Sequence, residues 1–163
     1  ATVFSLGTGT VTLNSSSSTI NVSSATATTF DGGGRTFATV NQAGAGALTI
    51  SGSNTFTTLS NSVQPTTLRF TSGTTQTVTN FSVSGTAGNL VTIDASTAGT
   101  RANLSKTTGT VSVSNCSIKD SNATGGATWQ ALTTNGNVDA GNNAGWVFSL
   151  PPPNSGNFLA FFM

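Results

Sequence analysis

The chain alternates apolar and polar residues at period two over many short runs, which is the pattern of β-strands with one buried face. Clusters of Gly, Ser, Asn and Asp separate the runs, and these are residues on which a chain turns readily. No stretch shows the spacing of an amphipathic helix. The pattern therefore predicts an all-β protein with strands at residues 3–6, 9–13, 18–22, 35–40, 47–50, 55–59, 66–70, 76–83, 90–93, 102–104 and 109–113.

Two architectures accommodate strands of this length and number. In a right-handed parallel β-helix, or β-solenoid, each coil pairs with the coil above and below it. In a β-sandwich, strands of the same kind pair within two packed sheets. A weak internal sequence similarity, the echo, relates residues 77–83 to residues 112–118. It indicates irregular repetition with inserted turns. The residues alone leave both architectures open.

A series of motifs between residues 85 and 148 goes beyond what a Ser/Thr-rich composition produces. They include Asn-Ala-Thr-Gly-Gly-Ala-Thr-Trp at 122–129 and Gly-Asn-Asn-Ala-Gly-Trp at 141–146, with further matches at 88–93, 99–100, 104–106, 109–113, 118–121 and 139–148. This segment resembles the C-terminal module of surface and tail proteins of tailed bacteriophages of aquatic bacteria. The resemblance implies a right-handed parallel β-helix on a virion, and it implies no particular reaction. It also implies a homo-oligomer, with a trimer favoured.

The sequence predicts three regions within one structural domain. We expect residues 1–84 to form N-terminal strand coils, residues 85–148 to form β-helix coils and a cap, and residues 149–163 to form a proline linker followed by an apolar tail. Because the chain begins at Ala1, we expect that an initiator Met or a longer N-terminal part was removed or lies outside the numbering. No apolar run is long enough for a membrane span, and no signal-peptide pattern is present.

The composition is unusually poor in charge. Charged residues make up 6% of the chain and the formal net charge is +1, against about 25% charged residues in an ordinary soluble domain. Such a chain has no field that attracts nucleic acid or an anionic membrane, so neither is expected as a partner. Its 35% hydrophobic content, set in β alternation, argues against disorder. Low charge also permits close self-contact in an assembly.

The residues that carry chemistry are scarce, and the sequence predicts no enzyme, no cofactor and no metal site. The chain lacks His, which removes the usual acid/base and zinc sites. Asp94 with Arg101 is the best candidate for a lyase-like pair, whereas Asp120 and Asp139 lie in turns where local hydrogen bonding explains them. Cys116 is the single cysteine, and we expect it to fill a small apolar position in a strand. The three glycines at 32–34 predict a β turn rather than a phosphate-binding loop.

Two regions near the end of the chain are candidates for contacts. Trp129 and Trp146 lie in a turn-rich region that is a candidate cap for the solenoid, with sugar stacking as the alternative role. After three consecutive prolines, an apolar tail is expected either to dock on a neighbouring subunit or particle surface, or to fold back over Trp146 as a final strand. The predicted docking residues of the tail are Phe158, Leu159, Phe161, Phe162 and Met163.

The resemblance, together with the scarcity of residues that carry chemistry, implies a non-enzymatic structural protein on the virion surface of a tailed phage, and hence an extracellular location. It would be a tail fibre, a spike or a capsid decoration subunit, with other virion proteins and host surface glycans as partners. A polysaccharide-binding or -cleaving adhesin is one alternative. An ice-binding β-solenoid is another, because Thr-x-Thr recurs, for example at Thr55/Thr57 and Thr77/Thr79, but these pairs are unevenly spaced along the sequence.

Overall fold

Each described strand inside a sheet pairs in parallel with the strand one coil earlier and one coil later, so the chain forms a parallel β-solenoid of about six turns. The computed structural model describes residues 2–5 and 17–151. The strands are β1 (Thr2–Ser5), β2 (Thr19–Val22), β3 (Thr28–Asp31), β4 (Thr36–Gln42), β5 (Leu48–Ser51), β6 (Thr55–Asn61), β7 (Thr66–Phe70), β8 (Thr75–Ser82), β9 (Val91–Ala95), β10 (Ala102–Ser105), β11 (Thr110–Ser112), β12 (Cys116–Ile118), β13 (Ser121–Thr124), β14 (Thr128–Gln130), β15 (Val138–Asp139) and β16 (Trp146–Val147).

The strands stack into three sheets that form the sides of the solenoid. Sheet 1 has seven strands in the order β1-β3-β5-β7-β9-β12-β15. Sheet 2 has six strands, in the order β13-β10-β8-β6-β4-β2. Sheet 3 has three strands, β11-β14-β16, and β11 lies beside β8. A coil that has a strand in sheet 3 therefore has strands on a third side of the solenoid.

Coil length varies because turns of different size join the strands. The register separates residues one coil apart by 17 positions between Trp129 and Trp146, but by 28 positions between Gln76 and Leu104. Parallel strands tolerate such insertions, because extra residues can loop outwards while the pairing register is kept. This variation explains why the sequence shows no clean repeat.

Columns of apolar side chains fill the inside of the solenoid, since alternate residues of each strand point inwards. One column in sheet 1 joins Leu48, Leu68, Ile93 and Ile118, each of which has no exposed surface. Burial of such a side chain is worth about 1.5–3 kcal/mol. Stacking these residues in register is thus the main source of stability.

An aromatic cluster strengthens the first coils of the core. Phe30 of β3 meets the edge of the Phe37 ring at a centroid distance of 4.9 Å, and Phe37 stacks on Phe56 at 5.7 Å. All three rings are almost completely buried. Ring pairs of this kind add about 0.5–1.5 kcal/mol beyond the burial of their area.

Buried amide side chains hold the turns between the sheets. The Asn54 amide donates to the carbonyl of Ser51 and to Oε1 of Gln76, while Gln76 donates to the carbonyl of Gly52. Both amides are buried, at 1% and 0% exposed. Backbone groups that leave a strand at a corner need such partners, because an unpaired buried carbonyl is costly. The amides therefore replace ladder hydrogen bonds where the chain turns.

The prediction of a β-solenoid is confirmed, and the β-sandwich alternative is wrong because every strand pair that forms these sheets is parallel. The predicted strands at 90–93, 102–104 and 109–113 exist as β9, β10 and β11, with Val91, Ile93, Leu104 and Val111 turned inwards. They belong to three different sheets, so each stacks on strands of other coils rather than on the other two.

Three local expectations differ from the structure. The echo at 77–83 and 112–118 does not join equivalent positions: the first part lies in β8, whereas the second runs from β11 into β12 through Asn115, whose φ is +50°. Residues 28–31, where no strand was predicted, form β3. Residues 121–124, expected to be a turn, form β13. In the last two cases, pairing with the neighbouring coil overrides weak local strand propensity.

Candidate functional site

The two tryptophans lie inside the last coils of the solenoid. They occupy paired positions in β14 and β16, and their rings meet edge to face at a centroid distance of 5.1 Å. Phe81 of β8 touches the other side of Trp129 at 5.6 Å. Trp129 is 1% exposed and Trp146 is 9% exposed.

Both indole N–H groups are also satisfied within the protein. Nε1 of Trp129 donates to the carbonyl of Thr124, and Nε1 of Trp146 donates to Oγ of Ser121. Sugar stacking needs an open ring face, and neither tryptophan presents one. The two tryptophans are therefore core residues of the last coils, in the region where a cap was expected. This geometry does not support a role in stacking against sugar rings.

The carboxylate expected to work with Arg101 has a different partner. Asp94 of β9 forms a bidentate ion pair with Arg69 of β7. The distance from Nε of Arg69 to Oδ1 of Asp94 is 2.9 Å, and the distance from Nη2 to Oδ2 is 2.7 Å. The register places these residues side by side on the outer face of sheet 1. Arg101 instead donates through Nε to the carbonyl of Asn142. The proposed Asp94–Arg101 pair is therefore wrong, because the coil register sets the partner of Asp94.

The other two carboxylates of this region hold turns together. Asp120 has a φ of +52° and is 2% exposed, and its Oδ1 accepts a 2.6 Å hydrogen bond from the Asn142 amide. This hydrogen bond holds the pKa of Asp120 below its ordinary value. Oδ1 of Asp139 accepts from the N–H of Gly141 and from the Asn143 amide. Local hydrogen bonding therefore occupies both carboxylates, as expected for turn residues.

Cys116 lies where a small apolar residue was expected. It is the first residue of β12, it has no exposed surface, and burial raises the pKa of its thiol to about 11. A thiol that stays protonated and inaccessible is a poor nucleophile. Cys116 is consequently a core residue of the solenoid.

The glycines at 32–34 form the turn predicted from the sequence. Gly33 and Gly34 both have positive φ, at +59° and +76°. The Gly33 N–H donates to Oδ1 of Asp31, and the Gly34 N–H donates to Oδ1 of Asn54. Side chains of the protein already use these N–H groups, so the loop does not present them to a phosphate.

Sequence reasoning missed a line of hydroxyl groups on the outer face of sheet 2. The pairing register brings one outward residue from each of five consecutive strands into a single column, which we call the hydroxyl rank: Thr36, Thr55, Thr77, Ser105 and Thr124. Its first three members are exposed. Paired strands are about 4.8 Å apart, so the rank has a regular spacing that sequence positions conceal. The strand register was the missing information.

Another column of sheet 2, five residues further along the strands, is held by side-chain amides. Asn41 donates through Nδ2 to Oδ1 of Asn21 at 2.9 Å, and Ser60 donates to Oδ1 of Asn41 at 3.1 Å. These bonds join three successive coils on the outside of the solenoid. Uncharged hydrogen-bonding groups therefore cover this side, in agreement with the low charge of the chain.

An apolar groove with a volume of about 510 Å³ lies near the last described coil, and we call it the terminal groove. The short 3₁₀ turn at Thr133–Asn135 forms one wall and the residues after β16 form the other. A 3.0 Å hydrogen bond from the Thr133 N–H to the Phe148 carbonyl joins the walls. Its lining residues are Leu132, Thr133, Thr134, Phe148, Ser149, Leu150 and Pro151.

Within residues 2–5 and 17–151, no group of three or more Cys, Asp or Glu side chains is arranged to hold a metal ion. The same part of the chain contains no helix of the length and apolarity that a membrane crossing requires. The five predicted docking residues of the tail, Phe158, Leu159, Phe161, Phe162 and Met163, lie outside the described residues.

The chain was compared with protein-family models, curated proteins and solved structures, and none of the three searches gave a match.

Proposed function

We propose that this chain is a non-enzymatic structural protein on the outside of a tailed-phage particle, as a tail fibre, a spike or a capsid decoration subunit. The observation that carries the proposal is where the phage-like motifs fall on the fold. The motifs at 88–93, 109–113 and 139–148 contribute to β9, β11, β15 and β16, which are coil-forming strands. The resemblance thus includes residues that build the strands of the solenoid.

The described side chains also suit a structural role. The outer faces of sheets 1 and 2 carry hydrogen-bonded amides, hydroxyl groups and the Arg69–Asp94 pair, and the carboxylates of Asp120 and Asp139 are engaged in turns. Coils joined by parallel ladders and side-chain bonds make a stiff scaffold in which each coil contacts its neighbours. A trimer on the virion, with other virion proteins and host surface glycans as partners, belongs to the same proposal.

Two measurements test this proposal. Antibodies against the purified chain should label intact particles of the encoding phage in electron micrographs, and light scattering should report an oligomer at micromolar concentration. Incubation with host capsular polysaccharide or lipopolysaccharide should leave the glycan length unchanged. Shortened glycan chains would refute the non-enzymatic role, and unlabelled particles that lack the chain on mass spectrometry would refute the virion location.

The hydroxyl rank favours a second candidate, an ice-binding surface. The uneven spacing of Thr pairs in the sequence argued against this function, but the register places Thr36, Thr55 and Thr77 in one exposed column at a regular spacing. Thr57 and Thr79 are exposed on the same strands. A regular column of hydroxyl and methyl groups can order water molecules along a surface.

Inhibition of ice recrystallisation measures this second function directly. Replacing Thr55 and Thr77 by Lys should abolish the inhibition, because two bulky charges interrupt the rank. A matched variant with Thr49→Lys and Thr92→Lys, on half-buried positions of sheet 1, should retain it. Absence of inhibition by the unmodified protein, or equal loss in both variants, would exclude the rank as an ice-binding surface.

A further inference from the structure

The sequence contains one Asn-Gly pair, at Asn135-Gly136, and one Asp-Gly pair, at Asp31-Gly32. In such pairs the backbone nitrogen of the glycine readily attacks the preceding side chain, because glycine has no Cβ to hinder the approach. The product is a five-membered succinimide ring. The structure separates the two pairs, since one lies in an exposed turn and the other is packed against the core.

Asn135 is the last residue of the short 3₁₀ turn, and its side chain is exposed. Gly136 follows with a φ of +73°. The turn contains no buried residue, and its two hydrogen bonds run from the N–H groups of Asn135 and Gly136 to the carbonyls of Leu132 and Thr133. A short surface turn of this kind opens at a small cost in free energy, which frees the Gly136 nitrogen for reaction.

The fold requires glycine at position 136. A positive φ is strained for a residue that carries a side chain. In addition, a Cβ on Gly136 would lie 2.4 Å from Oδ1 of Asn115, so the Asn115 side chain would have to move. The geometry of this corner therefore keeps a reactive glycine directly after Asn135.

Asp31-Gly32 has the opposite environment. Gly32 is buried, and a Cβ on it would lie 2.2 Å from Oδ1 of Asn54 and 2.8 Å from the Phe37 ring. Oδ1 of Asp31 accepts a hydrogen bond from the Gly33 N–H, which holds the carboxylate in the turn. This close packing opposes the backbone rotation that ring closure needs.

We propose that Asn135-Gly136 is a site of spontaneous deamidation in the folded protein, with water as the co-reactant. The Gly136 nitrogen forms a bond with Cγ of Asn135, the bond from Cγ to Nδ2 breaks, and ammonia leaves with the proton of the Gly136 nitrogen. Water then opens the succinimide at either carbonyl and gives aspartate or isoaspartate at position 135. This modification does not depend on the virion proposal.

Isoaspartate at position 135 loosens the corner between β14 and β15. It lengthens the main chain by one carbon, and the Asn135 carbonyl, which accepts the Asn115 N–H at 2.9 Å, becomes part of a free carboxylate. Asn137 lies two residues further on and is 4% exposed. Its amide donates to the carbonyl of Val113 and accepts from the Cys116 N–H. The longer chain displaces Asn137 from these two partners.

Peptide mapping of the full chain after incubation at pH 7.4 and 37 °C tests the site. Native protein should gain the mass of an amide converted to a carboxylic acid at Asn135. Labelling by an isoaspartate methyltransferase should be at least about tenfold faster there than at Asp31. In guanidinium both sites should be labelled, because the packing that protects Asp31 is lost. A native protein that stays unmodified at Asn135, or that is labelled equally at both sites, would overturn the proposal.

The melting temperature gives a second readout that separates the longer backbone from the new charge. Asn135→Asp carries the charge on an unchanged backbone and should melt within about 1 °C of the unmodified protein. Aged protein enriched in isoaspartate by chromatography should melt about 2–4 °C lower. Asn135→Ser cannot deamidate at this position and should keep its melting temperature on ageing. Aged protein as stable as Asn135→Asp would contradict the displacement of Asn137.

Discussion

The thiol of Cys116 should make this protein lose stability at alkaline pH, and the size of the loss follows from its environment. The side chain lies in the core with no exposed surface, and burial raises its pKa from 9.0 to about 11. Between these two values the unfolded chain loses the thiol proton, whereas the folded chain keeps it. Ionisation therefore favours the unfolded state as the pH rises through this window.

The expected magnitude is large enough to measure. Each pKa unit corresponds to about 1.4 kcal/mol, and the unfolded thiol is already half ionised at pH 9 while the folded thiol is half ionised at pH 11, so the free energy of unfolding should fall by about 2 kcal/mol between these two pH values. The stabilising contribution is complete below pH 9 and is lost as the pH approaches 11. The chain has no Tyr, so no phenol titrates in the same window.

The assay is guanidinium unfolding from pH 7 to pH 11, followed by the fluorescence of the two buried tryptophans. Cys116→Ala is the matched variant, because it removes the titrating group at the cost of a small cavity that does not depend on pH. The unmodified protein should lose about 2 kcal/mol more than the variant between pH 9 and pH 11. Parallel stability curves for the two proteins would refute the argument.

Three further substitutions test the fold. Trp129→Ala should lower the free energy of unfolding by about 3–5 kcal/mol in denaturant titrations, since it leaves a cavity between Phe81 and Trp146, and a loss below about 1 kcal/mol would contradict this packing. Asp94→Asn should cost at most about 1 kcal/mol at low salt and less in 1 M salt, because the partner guanidinium is 41% exposed; a loss independent of salt would contradict an ionic origin. The lowered pKa of Asp120 stabilises the fold above about pH 4, and this contribution is lost as the pH falls through the folded-state pKa. In Asp120→Asn, thermal unfolding should therefore depend less on pH between 5 and 2 than in the unmodified protein, and an equal dependence would exclude the effect.

Strand positions were largely accessible from the sequence, because each coil needs inward apolar residues at period two. The runs at 47–50, 55–59 and 66–70 correspond closely to β5, β6 and β7. Residues 121–124 were misassigned, since Ser-Asn-Ala-Thr has little apolar surface and weak strand propensity. Pairing with β10 on one side makes this segment a strand, and that partner lies 19 positions away in the sequence.

The candidate surfaces were less predictable than the strands, because they depend on register. Asp94 and Arg101 are close in the sequence, but the coil places Asp94 beside Arg69, which is 25 positions away. The hydroxyl rank likewise joins residues from five coils whose lengths differ. Because turns of different length join the strands, the sequence interval between neighbouring members of the rank changes from 19 to 28 positions. Turn lengths thus decide these contacts, and the local sequence does not reveal them.

Asparagine shows most clearly why composition could not identify the surface of this protein. Asn41 lies outside the coil and bonds with Asn21 of the preceding coil. Asn54 and Asn137 lie inside turns, where they are at most 4% exposed and bond with backbone groups that the sheets leave unpaired. The outer amides present hydrogen-bond donors and acceptors at the surface, whereas the inner amides are already hydrogen-bonded within the fold. Among these amides, only the outer set is available to another molecule, and the coil register determines which residues belong to it.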